Sequence, residues 1–494
     1  MTPTRTEWEC VATKIAREVL ASLAEKEVER LFRVVLPKSP FRGRVFAVGG
    51  YVRDEVLGVD SKDLDAVVDM PGGAEKVTRW LHRQFPRVTS NPHQLGAGYP
   101  IWQIAFKEDV EHRGETYQTE GAVIEFADSQ KEAFPEEGSR RRVTEPGTVA
   151  EDVERRDFTV NMLLKDLSTG ELRDLVGTSV ADIKRGVLRG HPGVDFNKIL
   201  RDDPLRMMRL VRFQAKYGWD VPMDVLKTVK ANASRIRIVS GERIRDELVK
   251  LAKLGKLEQG VRMMKAVGLL RYVLPEVDAL RGVRHDTSRG HHQEGDVYRH
   301  TLLVLRNAKP GIESQFAALL HDVGKPRVQE VLEGKIRFLG HEIVGGEMAE
   351  GVMRRLGFDG VSIRKVKSMV TNHMRPHHLV RGSGNKAIRK FIRQVGEEMV
   401  DAILDLAEAD QLGNLPPENL IPDLRKRIDE ALAIPVSKKP VLDGKAVMDV
   451  LNIRSGPQVG AAMRFLEDKV DEYAAAGVVL DKDEATRLLV EEYS

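Results

Sequence analysis

Residues 49–68, GGYVRDEVLGVDSKDLDAVV, combine a diglycine with two aspartates that are separated by a single leucine. Residues i and i+2 of a strand project to the same face, so Asp63 and Asp65 can both reach one metal cluster while Leu64 points into a core. The diglycine follows a short apolar run and precedes a helix-like segment, where backbone amides can approach a triphosphate. Either feature alone is common on solvated surfaces. Together they favour chemistry on a nucleotide.

The composition is typical of a soluble protein with several domains. The chain has 494 residues, of which 41% are hydrophobic, and no segment has the composition of a disordered region. No apolar run approaches the roughly 20 residues needed to span a bilayer, and the N-terminus MTPTRTEWEC lacks a signal-peptide pattern. We therefore expect a cytoplasmic protein without a membrane segment. Because Cys10 is the only cysteine, metal chemistry must use carboxylates and histidines.

The charge is nearly balanced overall but uneven along the chain. The formal net charge of +3 comes from 78 basic and 75 acidic residues, and basic residues concentrate at 201–216 and 234–250. Helical basic stripes of this kind suit a phosphate backbone. A solvated helix face with interspersed acidic residues explains the pattern equally well, so charge alone leaves both interpretations open.

Apolar periodicity divides the chain into a mixed α+β part and a helical part. Short apolar runs predict strands at 44–49, 63–69, 101–106, 121–127 and 160–166. The charged stretch 107–120 predicts an exposed loop, and from residue 170 the pattern is helical, with a turn-rich break at 280–295. We therefore predict an N-terminal helix at 1–40, an α+β domain at 41–168, a helical segment at 169–280, a histidine-rich helical domain at 281–415 and a helical tail at 416–494.

Two further segments place arginines where phosphates could bind. RRDFTVNM at 155–162 puts an arginine pair before a strand-like run, and arginine offers a fixed fork of donors for phosphate oxygens. RDDPLRMMRLVRF at 201–213 predicts a helix on which Asp203 precedes Arg206 by one turn and shares its face. Three arginines of this segment are spaced three residues apart: Arg206, Arg209 and Arg212. Taken alone, the segment would be interpreted as a salt-bridged surface helix.

The motifs resemble those of the class II nucleotidyltransferases. GGYVRDEVLG, DLD, RRDFTVNML and DDPLRMMRLVRF occur in the order found in the tRNA nucleotidyltransferase family, which comprises CCA-adding, CC-adding and A-adding enzymes and the bacterial poly(A) polymerases. The resemblance covers residues 41–250 and includes LRDLVGTSVADIKRGVLRG at 172–190 and SGERIRDELVKL at 240–251. It implies an α+β head with a small mixed or antiparallel sheet at 41–168, an all-α neck at 169–280, and a helical body and tail.

The resemblance also implies roles for individual residues. Asp63 and Asp65 would hold two Mg²⁺ ions that activate the 3′-hydroxyl of an RNA and stabilise the attacked α-phosphate. No covalent intermediate is required. The nucleotide would be held by Gly50 and Arg53 at the triphosphate, by Arg156 at the sugar and phosphates, and by Arg209 and Arg212.

Base selection would depend on Asp203 and Arg206. In the family, an Asp and an Arg of this segment pair with the Watson–Crick edge of the incoming base, so that protein side chains replace a template for CTP and ATP. The family's usual Glu-Asp pair is here Asp202-Asp203, and we assign no role to Asp202. Glu125 is a candidate third carboxylate, although an ordinary edge-strand glutamate explains it equally well.

The histidine-rich domain resembles a second family. Residues 284–378 hold nine of the thirteen histidines, and the order His, His-Asp, His, His, Asp resembles the HD phosphohydrolase superfamily, a metal-binding helical fold often fused to bacterial tRNA nucleotidyltransferases. The implied ligands of a divalent transition metal are His300, His321, Asp322 and Asp410, and a binuclear centre would add His341 and His373. Such a metal would activate water for hydrolysis, although an inactive RNA-binding scaffold fits the sequence equally well. Ordinary core or surface positions are expected for His285, His291, His377 and His378, and His292 stays unassigned.

The resulting hypothesis is template-independent addition of CMP and AMP, from CTP and ATP, to the 3′ end of tRNA. A poly(A) polymerase shares every head motif, but the basic signature usual before its RRD motif is absent from GAGYPIWQIAFKEDVEHRG at 96–114. A CC-adding or A-adding specialist is a separate alternative. The intact Asp63, Asp65 and Asp203 argue against an HD phosphodiesterase with a vestigial head, and a pure RNA-binding module would not need paired metal carboxylates.

Overall fold

The computed structural model describes residues 5–61, 63–95, 101–133, 143–285, 295–433 and 440–493. The chain forms two compact units, Met1–Arg235 and Ile236–Ser494. This division falls within the predicted neck, and the finer boundaries of the five predicted segments stay predictions. Every helix in the described ranges is too short or too polar to serve as a transmembrane segment.

A seven-stranded mixed sheet is the centre of the first unit. The strands described in this unit are β1 (Val45–Val48), β2 (Asp65–Val68), β3 (His93–Leu95), β4 (Ile101–Ala105), β5 (Val110–His112), β6 (Glu115–Tyr117), β7 (Val123–Asp128), β8 (Gln130–Ala133), β9 (Val143–Pro146), β10 (Leu164–Asp166) and β11 (Leu172–Arg173). The sheet has the order β11-β10-β1-β2-β7-β4-β3. β2 and β7 run parallel, whereas the other neighbours are antiparallel, so the expected small sheet is confirmed and is mixed.

Helices precede, connect and follow these strands. They are α1 (Arg5–Val35), α2 (Gly50–Leu57), α3 (Gly73–Gln84), α4 (Val149–Glu154), α5 (Ser179–Arg185), α6 (Phe196–Asp202), α7 (Leu205–Tyr217) and α8 (Met223–Asn232), with 3₁₀ turns at Leu36–Lys38 and Thr159–Asn161. α7 starts after Pro204 and ends at Gly218, whose φ of 69° is the left-handed conformation that favours glycine at a helix end. Met207, Leu210 and Val211 are buried, as expected for the face of this helix that packs against the core, and Arg206 is buried with them.

The strand predictions overlap the observed strands, with two local differences. In the segment 160–166 only Leu164–Asp166 pairs with the sheet, because Thr159–Asn161 forms a 3₁₀ turn. The predicted all-α neck contains the short strand Leu172–Arg173, which pairs with β10. Both differences involve stretches too short for a reliable periodicity.

The stretch 107–120, predicted as an exposed loop, is a β-hairpin. β5 and β6 pair antiparallel, with His112 opposite Glu115. The turn residues Arg113 and Gly114 have φ values of 53° and 82°, and two consecutive positive φ values are typical of a two-residue hairpin turn. Tyr117 is buried, with the Arg30 guanidinium 4.6 Å from its ring centroid. The loop prediction was wrong because charged residues dominate a hairpin that buries few side chains.

The described residues of the second unit form helices and one hairpin. Its helices are α9 (Gly241–Lys253), α10 (Leu257–Ala266), α11 (Leu270–Val273), α12 (Pro275–Asp278), α13 (Val297–Asn307), α14 (Ile312–Leu320), α15 (Lys325–Val328), α16 (His341–Arg355), α17 (Gly360–Asn372), α18 (Met374–Leu379), α19 (Asn385–Val395), α20 (Glu397–Gly413), α21 (Ile421–Ala433), α22 (Gly444–Leu451), α23 (Pro457–Ala475) and α24 (Lys482–Tyr493). The hairpin is β12 (Glu330–Leu332) and β13 (Lys335–Arg337). A 3₁₀ turn, Ala233–Ile238, spans the division between the two units.

The helical tail has a small apolar core of its own. Val447, Ala462 and Leu489 are fully buried in a cluster contributed by α22, α23 and α24. The tail is joined to α19 by ion pairs, including Arg393 with Asp468 and Asp471 at 3.0 and 2.9 Å. Packing of an apolar face is the main source of stability for helices of this length.

Candidate functional site

The two aspartates of the opening motif lie at the start of β2. Asp65 is the first residue of the strand and Asp63 precedes it, while Leu64 between them is buried. The parallel register places Asp65 opposite Glu125 of β7. The side chain of Gln103 donates a hydrogen bond of 3.0 Å to Glu125. The structure therefore brings Glu125 beside the predicted metal pair and does not leave it on an outer edge of the sheet.

The carboxylates of this group repel one another. Protein packed around the carboxyl, together with Glu125 and Asp63, raises the pKa of Asp65 to about 6, and Arg156 opposes the increase. Glu25 of α1 lies in the same environment: burial and the neighbouring Asp63 raise its pKa to about 8, although the Leu64 amide hydrogen-bonds to it. Neighbouring carboxylates with pKa values raised in this way are typical of a divalent cation site. No motif or spacing pointed to Glu25, which lies 38 residues before Asp63.

The diglycine lies beside two of the predicted phosphate-binding arginines. Gly49 has a φ of 69° and precedes α2 without a side-chain cap, so the first amides of α2 are available to a ligand. A side chain at Gly49 would approach Arg156, with its Cβ 4.0 Å from Nη1, and one at Gly50 would approach Arg53, with its Cβ 3.5 Å from Nη2. The predicted grouping of these residues is therefore observed.

A hydrogen-bonded network fixes Arg53 and Arg209. Arg53 Nη1 donates to Asn161 Oδ1 at 2.7 Å, and Asn161 Nδ2 donates to Asp157 Oδ1 at 2.9 Å. The other oxygen of Asp157 accepts from Arg209 Nε at 2.6 Å. The Arg53 guanidinium also lies 5.2 Å from the ring centroid of Phe213. One buried aspartate thus connects arginines from α2 and α7, which are far apart in the sequence.

Asp152 holds the arginine pair of the RRD motif. Its Oδ1 accepts from Arg155 Nη2 at 2.5 Å, and its Oδ2 accepts from Arg156 Nη2 at 2.8 Å. Arg156 Nη1 donates in addition to the Asn161 carbonyl at 3.3 Å. Burial would raise the pKa of Asp152, but the two arginines lower it below its ordinary value. The carboxylate is therefore charged at neutral pH, and it orients Arg156.

Asp157→Asn should destabilise the first unit in a pH-dependent way. Burial would raise the pKa of Asp157, but Arg209, Asn161 and the Phe158 amide lower it from 3.8 to about 2. A lowered carboxyl pKa stabilises the folded chain above the ordinary pKa, and the benefit is lost as the pH falls through about 2. We expect a loss of about 2 kcal/mol at pH 7, measured by urea unfolding, and a smaller difference from wild type as the solution becomes acidic. The exposed Asp220→Asn serves as the control and should change little, whereas a pH-independent difference for Asp157→Asn would contradict the charge argument.

Asp203 and Arg206 do not lie on one continuous helix. Asp203 follows α6 in an extended conformation with φ −144° and ψ 97°, and Pro204 starts the next helix. The expectation that both residues share one helix face was wrong, because a proline cannot continue the backbone ladder of α6. The Asp203 carboxylate accepts from the Leu205 amide at 3.2 Å. Both side chains are nonetheless buried close together, with the Arg206 amide bonded to the Asp203 carbonyl at 3.0 Å.

Arg206 connects the neck to the RRD motif. Its Nη1 donates to the Ile199 carbonyl and its Nη2 to the Arg155 carbonyl, each at 2.7 Å. Arg212 lies further along α7, with its guanidinium 4.1 Å from the ring centroid of Phe213. The predicted row of three arginines is therefore split, since Arg206 is buried while Arg209 and Arg212 are partly exposed.

The second candidate site is a cluster of histidines and aspartates on five helical segments. His300 lies on α13, His321 and Asp322 follow α14, His341 starts α16, His373 follows α17 and Asp410 lies on α20. Their ligand atoms form two triads, each within 4.8 Å. The first triad is His300, His321 and Asp410, and the second is Asp322, His341 and His373. All six predicted ligands are thus brought together beside a cavity of about 540 Å³.

Three of the histidines have a defined tautomer. His321, His341 and His373 each donate Nδ1–H to the carbonyl three residues earlier, at 2.8, 2.8 and 2.7 Å. In the neutral rings of His341 and His373 each Nε2 is then an acceptor, and these two atoms lie 3.4 Å apart. Burial lowers the pKa of His341 and, together with the neighbouring histidines, lowers that of His373 to about 3. Two acceptors that face each other without a proton fit a metal cation.

The structure places two histidines beside the cluster for which ordinary core or surface positions were expected, and it adds a lysine. His377 Nε2 lies 2.9 Å from Asp410 Oδ2, and the ring centroid of His285 lies 5.5 Å from that of His300. Lys325 Nζ lies 2.7 Å from Asp322 Oδ2. His377 could have been found from its spacing of four residues after His373, since both fall on one side of a helical turn. His378 is exposed as expected, and His291 and His292 lie outside the described residues.

Known families and proteins match both units. The model of the poly(A) polymerase head domain matches residues 45–189, that of a probable RNA- and SrmB-binding site of polymerase A matches 220–280, and that of the HD domain matches 297–415. A CC-adding tRNA nucleotidyltransferase from Thermus thermophilus is 30% identical over 90% of this chain and 93% of its own. The chain belongs to the tRNA nucleotidyltransferase family. An A-adding tRNA nucleotidyltransferase from Deinococcus radiodurans is also 30% identical, over 89% of this chain and 94% of its own.

Solved structures show the same fold for this tRNA nucleotidyltransferase. An apo CCA-adding enzyme has a TM-score of 0.61 at 18% identity and covers 94% of this chain and 96% of its own. The Bacillus stearothermophilus CCA-adding enzyme in complex with CTP has a TM-score of 0.58 at 20% identity, covering 91% and 93%. The resemblance inferred from the motifs and the α+β fold with a helical body are thereby confirmed. The family matches begin at residue 45 and leave α1 outside them.

Proposed function

We propose that this tRNA nucleotidyltransferase adds CMP and AMP, from CTP and ATP, to the 3′ end of tRNA without a nucleic-acid template. The observation that supports this most directly is the grouping of three features in the first unit. Asp63, Asp65 and Glu125 supply carboxylates, α2 offers free amides beside Arg53 and Arg156, and Asp203 and Arg206 lie buried near the RRD motif. Such a reaction on tRNA would take place in the cytoplasm.

Asp63 and Asp65, assisted by Glu125, would hold Mg²⁺. Burial, together with Glu125 and Asp63, raises the pKa of Asp65, and a bound divalent cation would offset the repulsion among these carboxylates. Bound Mg²⁺ would lower the pKa of the attacking hydroxyl and neutralise charge on the α-phosphate. The chain's own residues would position the nucleotide: the α2 amides and Arg53 bind the triphosphate, and Arg156 binds the sugar and phosphates while Asp152 orients it.

Incubation with four RNAs tests the proposal. The substrates are tRNA lacking CCA, tRNA ending in C, tRNA ending in CC, and an unstructured RNA, each with labelled CTP or ATP. Addition of CCA to the first substrate is the expected result. An AMP homopolymer on the unstructured RNA would instead identify a poly(A) polymerase.

A CC-adding or A-adding specialist is the second candidate. It is favoured by the names of the two relatives that match almost the full chain, one CC-adding and one A-adding. The multifunctional CCA protein of Nitrosomonas europaea, at 29% identity, matches 65% of this chain. The same four substrates separate the candidates, because a CC-adding enzyme stops after two cytidines and an A-adding enzyme acts only on tRNA ending in CC.

Substitution of Asp203 or Arg206 should relax nucleotide choice. A hydrogen bond that involves a charged group contributes about 1.5–3 kcal/mol, so loss of one should reduce discrimination of CTP and ATP against UTP and GTP about 10- to 100-fold. Asp203→Asn and Arg206→Lys keep side-chain size better than alanine, and their relative kcat/KM for the four nucleotides is the measurement. Arg201→Ala is the control, because Arg201 is exposed and pairs loosely with Asp195 at 3.9 Å. Unchanged selectivity in both folded variants would refute the protein-template role.

We also propose that the histidine cluster holds a divalent transition metal and hydrolyses phosphate esters. His300, His321 and Asp410 would form one position, and Asp322, His341 and His373 a second. His321 Nε2 and Asp322 Oδ1 are buried and make no hydrogen bond within the described part of the chain, which fits metal ligands. Bound metal would supply an activated water. The cavity beside the cluster is lined by Lys335, Arg337 and Arg381, which suits an anionic substrate.

A further inference from the structure

The N-terminal helix α1 contacts the segment that carries the first catalytic aspartate. Ser22 Oγ donates to the Ser61 carbonyl at 2.7 Å, and Lys26 pairs with Asp60. One turn along the same face, Glu25 is buried, with 4% of its surface exposed, and the Leu64 amide hydrogen-bonds to its carboxyl. Three residues of α1 thus contact Asp60, Ser61 and Leu64 between α2 and β2.

That backbone needs an external support. Asp63 precedes β2, whose ladder with β1 reaches only Ala66 and whose ladder with β7 begins at Asp65. The described residues between α2 and β2 belong to no helix or strand. A segment outside regular structure opens more readily than its neighbours unless other contacts fix it. Since Asp63 and Asp65 must face the same cations, the position of Asp63 depends on the contacts that hold the segment before β2.

α1 is well placed to provide a rigid support. Val28, Leu31 and Phe32 are fully buried, and Phe32 packs against Phe126 of β7 with ring centroids 6.2 Å apart. Glu29 accepts from Tyr51 of α2 and pairs with Lys165 of β10, each at 2.7 Å. The helix is therefore fixed to β7, which carries Glu125, to α2, which follows the diglycine, and to β10, which pairs with β1.

We propose that Glu25 and Ser22 are positioning residues, which hold the backbone of Leu64 and Ser61 through hydrogen bonds so that Asp63 and Asp65 face one cation site. The inference rests on the proposed nucleotidyltransferase function. It assigns a role to a helix that lies outside the matched family regions. In this proposal Glu25 acts through the Leu64 backbone, and its contribution to metal binding is positional.

Mn²⁺ binding to the full-length chain, followed by electron paramagnetic resonance, tests the inference. Mn²⁺ ions that bind to the wild-type chain but not to Asp65→Asn are assigned to the site in the first unit. For these ions Glu25→Ala should weaken binding about tenfold, the lower end of the range for residues that orient metal ligands. Glu25→Gln should stay within about twofold of wild type, because its amide oxygen can still accept from the Leu64 amide. Glu27→Ala is the matched control on α1, since Glu27 pairs with Arg30 of the same helix.

Nucleotide addition gives the second readout. Glu25→Ala should raise the Mg²⁺ concentration for half-maximal CMP addition about tenfold while KM for CTP at saturating Mg²⁺ stays within about twofold. Unchanged Mn²⁺ affinity in folded Glu25→Ala would overturn the inference, and so would a Gln variant as weak as the Ala variant. If Glu25→Ala does not fold, Ser22→Ala is the deciding variant. We expect it to bind Mn²⁺ about threefold more weakly, because it loses one neutral hydrogen bond. An unchanged Mn²⁺ affinity in this variant would contradict the positioning role. A wild-type chain that binds Mn²⁺ through Asp65 but adds no nucleotide would refute the proposed function instead, which separates the two failures.

Discussion

Asp65→Asn is expected to lower the rate of CMP addition to tRNA lacking CCA at least about a thousandfold, because metal ions contribute several kcal/mol of charge stabilisation and each 1.4 kcal/mol is tenfold. An amide keeps the size of the side chain but lacks the charge that would hold the proposed cation beside Asp63 and Glu125. Single-turnover addition at saturating CTP and Mg²⁺ is the measurement. Phosphodiesterase activity of the second unit should be retained.

Stability separates this effect from unfolding. The pKa of Asp65 is raised to about 6, so without metal its carboxyl favours the folded state only below its ordinary pKa, and that benefit is lost as the pH rises through about 6. Asp65→Asn removes the repelled charge, and the metal-free variant should be at least as stable as wild type at pH 7. A folded variant that still adds CMP at a comparable rate would show that the chemistry does not use this pair.

Asp322→Asn should remove metal from the histidine cluster and abolish phosphodiesterase activity, leaving CMP addition intact. Asp322 is central to the cluster: its Oδ2 lies 3.1 Å from His321 Nε2 and its Oδ1 3.4 Å from His341 Nε2. Burial would raise its pKa, yet His321 and Lys325 hold it well below the ordinary value, so the charge is present for a metal. Loss of a charged ligand should cost at least about 100-fold in metal affinity.

Metal content and hydrolysis of a chromogenic phosphodiester measure this effect. His378→Ala is the matched control, because His378 is exposed near the cluster, and it should retain both metal and activity. Full metal occupancy in Asp322→Asn would contradict the proposed ligand set. Loss of CMP addition together with hydrolysis in a folded variant would contradict two independent sites.

Local spacing predicted the parts of these sites that lie within a few residues of one another. Asp63 and Asp65, the diglycine and the RRD arginines could be recognised in the sequence, as could the order of the histidines. The assignments missed depend on contacts between distant segments. Glu25 of α1 accepts a hydrogen bond from the Leu64 amide, which precedes β2, and Asp157 connects arginines of α2 and α7. No periodicity encodes such partners, because they are created by packing.

The wrong local predictions have local causes. Pro204 separates Asp203 from the helix of Arg206, although the charge spacing suggested one helix. The hairpin at 107–120 was predicted as a loop because its turn, Arg113-Gly114, is not one of the common two-residue hairpin turns such as Asn-Gly. In both cases a single backbone constraint outweighed the pattern of the side chains.

The hydrogen bonds from Nδ1 to the carbonyls of Phe338 and Val370 leave Nε2 of His341 and His373 as the ring atoms that would bind a metal ion. Most histidine sites must release protons before they can coordinate, so their affinity for metal falls in mildly acidic solution. His341 and His373 have lowered pKa values, so at neutral pH neither Nε2 carries a proton that a metal would have to displace. Metal binding at these two ligands should therefore weaken less in mildly acidic solution than binding at histidines with an ordinary pKa.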